Sequence, residues 1–402
     1  MALNNMPNSS KRKTTNLTLV RVFALFATFF VVGVVGYFVS LLARGYEFDI
    51  STFKFFENGI LVAKSDPDGA SIYINNDLKG ATNTNLRLPP GSYDIKIKKD
   101  GHLTWQKTLS IKKEEVTQIT AHLFKTVPSF SPITYSGAKD PVVSPDFSKI
   151  AYTNSDGLWI LSVSTLPIGF SSDPKMILKS PIPQGSKLSF SPNSRELLLE
   201  TKTSLYVLST AEENEQSSLI NKIGQKEAIL KEWQDEKNKK DDAEIKLLPT
   251  EFSKILKENT KSFTFSPDET MVMYVASSEA QIKEDLIPKL PGSNSQKEER
   301  YIKVGKTYIY DIKEDKNFLV NDNGRSLYWM PTSRHLILPD EEKVIVMDYD
   351  GTNRQVVYSG NYVSPHAYPF VNASKILILT NLGSSENPTN LYSMSIKWYN
   401  SS

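Results

Sequence analysis

The stretch "SFTFSPDETMVMYVA", residues 262–276, joins a Ser-Pro-Asp turn to a run in which Met271, Met273 and Val275 alternate with Val272 and Tyr274. A two-residue period places alternate side chains on opposite faces, so the run predicts a β-strand. The phrase recurs at 144–152, "SPDFSKIAY", and at 190–200, "FSPNSRELLLE". Worn copies stand at 329–339, "WMPTSRHLILP", and 370–380, "FVNASKILILT". The turn proline fits a tight connection entering a strand, because its φ is fixed and it has no N–H to satisfy.

Measured between the turn prolines, the spacings are 47 residues (Pro145 to Pro192), 75 (to Pro267) and 64 (to Pro331), then 40 to Val371. Each copy is followed by a second strand: "GLWILSV" (157–163), "SLYVLST" (204–210), "KTYIYDI" (306–312), "KVIVMDYDG" (343–351) and "NLYSMSI" (390–396). Periods near 40–45 residues with several strands each are the mark of a β-propeller. The longer spacings require insertions. The phrase resembles the repeats of TolB-type and WD-repeat-like propellers, and "VMDYDG" at 346–351 matches their second element, although no copy keeps the glycine after Ser-Pro-Asp. The resemblance covers 125–402 and implies five blades, or six if 126–143 supplies strands that close the ring with the C-terminal segment. Such closure removes exposed sheet edges.

The 75-residue gap holds "EENEQSSLINKIGQKEAILKEWQDEKNKKDD" and "PTEFSKILKEN". Leu219, Ile223, Leu230 and Trp233 recur at helical spacing among charges, which predicts a helical insertion over about 211–260 projecting from one blade. It either contacts a partner or folds back and buries Trp233 and Ile223. The other gap, "DLIPKLPGSNSQKEERYIKVG", carries no period.

Residues 65–124 form a smaller unit of short strands. "SIYIN" puts Ile72 and Ile74 on one face, and "SYDIKIKKDG" sets Tyr93, Ile95 and Ile97 against Asp94, Lys96 and Lys98. In "TWQKTLSI" the residues in phase are Trp105, Leu109 and Ile111. "LPPG" and "KDG" are turns. About five strands in an antiparallel sandwich are expected. This segment resembles a PEGA domain, in the turn Pro67-Asp68-Gly69-Ala70, the "KGAT" element with Gly80, and the Pro90-Gly91-x-Tyr93, Gly101 and Trp105 positions. Asp68 replaces the family's glutamate, and Asn83 stands where a proline often follows. The resemblance implies a non-enzymatic envelope module whose motif residues are structural. Tyr93 and Trp105 are in phase with the core, so Tyr73, out of phase, is the candidate exposed aromatic for stacking on a sugar.

Upstream, "VFALFATFFVVGVVGYFVSLLA" (Val22 to Ala43) has no charge across 22 residues, about 33 Å as a helix, which spans a hydrocarbon core. Lys11, Arg12, Lys13 and Arg21 precede it, and only Arg44 follows closely, beside Glu47 and Asp49. The positive-inside rule then leaves 1–21 as a cytoplasmic tail and everything after the span outside. The span ends "SLLARG", without a small-x-small cleavage site, so it reads as an uncleaved signal anchor in a single-pass cytoplasmic-membrane protein. Residues 44–64 read as a linker, giving the order tail, 22–43 span, linker, 65–124 PEGA unit, 125–402 propeller-like domain. That order resembles PEGA domain-containing bacterial membrane proteins.

Composition agrees with a chain folded mostly in water: 402 residues, 39% hydrophobic and 23% charged. A net charge of +2 and the balance of acids and bases in "KEWQDEKNKK" argue against a nucleic-acid partner. With no cysteine there is no disulfide, thiolate metal site or lipidated cysteine. The four histidines, His102, His122, His335 and His366, are too far apart for a local helical metal pair. "GKT" at 305–307 lacks the phosphate loop's first glycine, since Arg300 occupies it. "DYDGTN" at 348–353 has Ser359 where a Ca²⁺ loop closes with glutamate. No Gly-x-Ser-x-Gly elbow occurs. The acids Glu341 and Glu342, and Asp311 and Asp315, read as solvated turn residues. No catalytic residue, metal or cofactor is expected. The reading is a non-catalytic binding or scaffold protein whose partners are the bilayer and an envelope protein or cell-wall glycan. The alternatives are a propeller hydrolase or lyase with an unrecognised channel site, and a sensor acting through a partner.

Overall fold

The computed structural model describes residues 15–43, 46–49, 54–163, 173–288, 290, 292, 294–322, 324–370, 374–384 and 386–397. Helix α1 runs Thr15–Ala43, so Arg21 lies inside it, while most of the expected tail (1–14) and Arg44 lie outside the described residues. Val20–Ala43 has a mean hydropathy of 2.4 and none of it is buried against protein, so it is long and apolar enough to cross a membrane.

After the helix, Tyr46–Asp49 and Lys54–Glu57 pair as a short antiparallel hairpin. The small β domain begins at once, with strand Gly59–Asp66. The expected linker to residue 64 is therefore corrected. Leu61 and Ala63 are fully buried in this domain's core, and the strand pairs parallel with Val116–His122 and antiparallel with Thr84–Leu88. The second sheet has the order Asp77–Ala81, Ser71–Ile74, Gly91–Lys98, Trp105–Ile111. Seven strands in two sheets, one pairing parallel, replace the five antiparallel strands expected. Ile72, Ile74, Ile95, Ile97, Trp105, Leu109 and Ile111 close the core between the sheets.

Among the described residues the large β domain has five antiparallel sheets of three or four strands, and a two-stranded pair, Ala280–Gln281 with Tyr301–Ile302. Sheet I comprises Lys139–Val143, Lys149–Thr153, Leu158–Ser162 and Lys175–Leu178. Sheet II has Lys187–Phe190, Glu196–Glu200 and Leu205–Ser209. Sheet III has Thr260–Phe265, Met271–Ala276, Thr307–Asp311 and Lys316–Asn321, and sheet IV Tyr328–Trp329, His335–Pro339, Lys343–Asp348 and Gln355–Ser359. Sheet V has Ala367–Phe370, Lys375–Thr380 and Asn390–Ser395, and takes its fourth strand, Ser129–Pro132, from the start of the domain. The segment 126–143 is thus divided between sheets V and I and forms no sixth sheet. Apolar cores join I to II, III to IV, IV to V, and V back to I.

The repeated phrase is the turn into the second strand of its sheet. Ser144, Ser191 and Ser266 are buried, and each hydroxyl donates to the side chain two residues on, in Asp146, Asn193 and Asp268. Each Ser Oγ also accepts the backbone N–H five residues on, at Lys149, Glu196 and Met271. Where the repeat would carry glycine the backbone is still left-handed: Phe147 (φ 57), Ser194 (φ 61), Glu269 (φ 56) and, in the worn copy, Ser333 (φ 56).

The insertion folds into helices α2 (Lys226–Ile245) and α3 (Thr250–Asn259). It does not project. Lys226 pairs with Glu200 and Glu236 accepts from Asn193, both in or beside sheet II, while Lys237 lies over the Phe263 ring of sheet III. Ile245, Leu248, Phe252 and Leu256 pack into the core of sheet III. Ile223 and Leu230 remain over 40% exposed and Trp233 is half-buried, while Leu219, ahead of the helix, packs against the core that joins sheets I and II.

Candidate functional site

The motif residues of the small domain build its turns. Gly69 (φ +66) lets the chain reverse after Pro67 and Asp68, so that Ala70 enters the core; Thr82 Oγ1 accepts from Ala70 N–H at 2.9 Å, and Thr82 N–H donates to Ala70 O. Gly80 (φ +151) lies within strand Asp77–Ala81 opposite Ile72, Gly101 (φ +73) occupies a turn, and Pro90 is exposed. Tyr93 packs half-buried on the core beside Gly91, its hydroxyl donating to Pro89 O at 2.8 Å, and Trp105 is buried. Tyr73 is out of phase with the core but is no bare platform: it is half-buried, and the Lys98 ammonium lies 5.1 Å from its ring centre.

None of these converges on a site. What does converge is the seam between the two β domains. Strand Trp105–Ile111 is the edge of its sheet, and an edge strand presents unpaired N–H and C=O groups. Side chains of the large domain take them up. Gln355 Nε2 donates to Thr104 O at 3.2 Å and Gln296 Nε2 to Thr108 O at 2.6 Å. Asn353 Oδ1 accepts from Gln106 N–H at 3.4 Å, and Ser295 Oγ from Ser110 N–H at 3.1 Å.

Beneath that edge Lys107 leaves the small domain and enters the turn after strand Lys343–Asp348. Its ammonium lies 3.0 Å from Asp348 Oδ2 and 2.6 Å from Asp350 Oδ2, with all three side chains at most 10% exposed. Burial opposes the ammonium, but the two carboxylates outweigh it and Lys107 titrates above the ordinary lysine value. Asp350 falls below the usual carboxylate range despite its burial, held by Lys107 and by hydrogen bonds from Asn294 and Thr352. Asp348 is pushed up by burial and by Asp350 beside it. Gly292 and residues 294–296 clamp the assembly: Asn294 Nδ2 donates to Asp350 Oδ2 (2.7 Å) and the Tyr349 hydroxyl (3.0 Å), and Gly292 N–H to Glu115.

A second contact lies nearby. The Lys397 ammonium donates to Asp66 Oδ2 (3.0 Å) and His122 Nδ1 (2.8 Å), and the His122 ring meets that of His335 edge-on at 4.8 Å. The neighbouring His122 and Lys397 hold Asp66 well below the carboxylate range, and burial lowers Lys397. His335 is forced well below the usual histidine value, first by burial and then by the neighbouring cations.

Along the edge runs a cleft of about 470 Å³. Gln106, Lys107 and two threonines form one wall, Asn353, Arg354, Gln355 and Thr352 the other, and Gln296 closes it. No lining residue is acidic or apolar.

The sequence reading missed this seam. Its signal was present, because Lys107 occupies the apolar phase between Trp105 and Leu109, where a cation needs a buried partner. Asp311 and Asp315 correct another expectation. Both are buried, Asp311 accepting from Lys313 and Glu314 N–H, and Asp315 holding Tyr310, Leu286 N–H and Arg300. Glu341 and Glu342 are exposed. "DYDGTN" forms the hairpin turn that receives Lys107. Of the other histidines, His366 Nδ1 lies 2.6 Å from the Tyr368 hydroxyl and His102 Nδ1 2.9 Å from Asp100 O. Among the described residues no three His, Asp or Glu side chains are grouped to hold a metal.

Residues 58–126 match the PEGA domain family, opening where the strand Gly59–Asp66 places the domain start. No curated protein matches the chain. Among solved structures, a TolB from Agrobacterium tumefaciens is 13% identical and covers 64% of this chain and 71% of its own, with a TM-score of 0.22. Hsv2 of Kluyvelomyces marxianus is 10% identical over 61% and 74% of the two chains, with a TM-score of 0.24. Superpositions this poor carry no argument, and the architecture rests on the sheets themselves.

Proposed function

We propose that the chain is a membrane-anchored, extracytoplasmic binding or scaffold protein of the bacterial envelope, non-catalytic, with its N-terminus in the cytoplasm and a propeller-like ring as its outer part. The observation that carries this reading is the order of parts: an apolar helix of spanning length, a short hairpin, then a PEGA domain, a type of extracytoplasmic module, sealed to a multi-sheet domain by a buried ion cluster. A body built this way holds a broad surface at a fixed distance from its anchor, and binding through such a surface requires no reactive group. The partners in this reading are the bilayer, and an envelope protein or cell-wall glycan.

Two measurements test it. Protease added outside intact cells should degrade everything after α1; a protected C-terminal domain reverses the orientation. Full-length protein in detergent should sediment with purified cell-wall glycan or crosslink to a discrete envelope protein. Retention by neither overturns the binding role.

A further inference from the structure

We infer that the seam cleft is a binding site for an acidic, hydroxyl-rich saccharide segment, an assignment that rests on the envelope-binding reading above and gives it a location and a ligand class. The cleft's hydrogen-bonding groups are already fixed, and what they leave over selects the ligand. Gln106 spends its Nε2 on the Asp94 carboxylate, at 2.9 and 3.1 Å, and Gln296 spends its Nε2 on Thr108 O. Each amide is thereby oriented, and its Oε1, without a donor among the described residues, remains an acceptor for a ligand hydroxyl.

The charge is equally sorted. Lys107 is neutralised from below by Asp348 and Asp350. Arg354 is not. Its Nε and Nη2 donate to the carbonyls of Gly351 and Val320, and no carboxylate among the described residues pairs with it. It is solvent-exposed at the cleft mouth, held by two backbone anchors, and presents a guanidinium to an anion. Acceptors for hydroxyls on one wall and a cation on the other fit a sugar bearing a carboxylate or phosphate. An extended peptide fits badly, because strand addition needs the edge that Gln355, Asn353, Gln296 and Ser295 already occupy. A flat apolar ligand finds no apolar residue among those that line the cleft.

The test is isothermal titration of the full-length protein in detergent with a hexuronate tetramer, a polyol-phosphate oligomer and a neutral glucose tetramer. At least one anionic ligand should bind about tenfold more tightly than the neutral one, the better of the two identifying carboxylate or phosphate as the recognised group. Arg354→Gln should remove that preference, and Arg354→Lys should restore part of it. Gln106→Met, on the opposite wall, should weaken the acidic saccharide with thermal unfolding unchanged. Equal binding of charged and neutral oligomers, no binding of any, or an Arg354→Gln protein that binds like the parent overturns the inference. Should envelope-protein crosslinking persist while all three oligomers fail, the site assignment falls and the binding role stands.

Discussion

Lys107 is the residue on which the two β domains depend. Truncating it strands two carboxylates inside the seam, and removing one partner of a buried ion cluster costs about 3–5 kcal/mol. Lys107→Met should therefore lower stability by that amount in urea unfolding, and Lys107→Met/Asp348→Asn/Asp350→Asn should recover part of it. His335 supplies the pH dependence. Its folded-state value is depressed, so its contribution to stability is complete above the unfolded value of about 6.5 and is lost as pH falls from there toward its folded-state value. The denaturation midpoint should drop between pH 7.5 and pH 5.5, and His335→Gln should flatten that drop. Glu269 offers the opposite sign: exposed, and held at φ 56, it should become more stable as Glu269→Gly by about 0.5–1 kcal/mol, since glycine takes this conformation without a Cβ clash.

At the scale of elements, what could be read in advance was what local chemistry dictates. The Ser-Pro-Asp turn closes within six residues, so its hydroxyl, its carboxylate and the strand it launches all stand together in the sequence. The left-handed position survived without its glycine because those same hydrogen bonds hold it. The seam was illegible for the opposite reason: Lys107 meets Asp348 across 241 positions, and Gly292 and residues 294–296 have no period to betray that they form a clamp. Residues 59–64 read as linker in the sequence because the parallel partner of strand Gly59–Asp66 lies at 116–122. The clamp can be tested directly. Gly292 has φ +69, and a Cβ there would collide with Val116 O. Gly292→Ala should loosen the loop, seen as faster amide exchange at Asn294–Gln296 and in strand Trp105–Ile111, with the cores of sheets I and II unaffected.

For the whole molecule, sheet V is decisive, because it joins the two ends of the large domain. Ser131 faces Ser393 in that pairing. The chain has no cysteine to compete, so Ser131→Cys/Ser393→Cys should crosslink on mild oxidation and show as a mobility shift on a non-reducing gel. Closing so long a loop should add about 5 kcal/mol, as measured by the unfolding midpoint with and without reductant. A failure to crosslink would mean that Ser129–Pro132 does not pair with Asn390–Ser395.

That shared sheet also sets a timetable for synthesis. A ribosome delivers Ser129–Pro132 long before Asn390–Ser395, so the early strand must wait, edge bare, while four sheets form behind it. Completion is postponed until translation has almost finished. A nascent chain of this kind gains from any chaperone that shelters a solitary strand, and a premature stop codon leaves the domain unlatched instead of merely shorter.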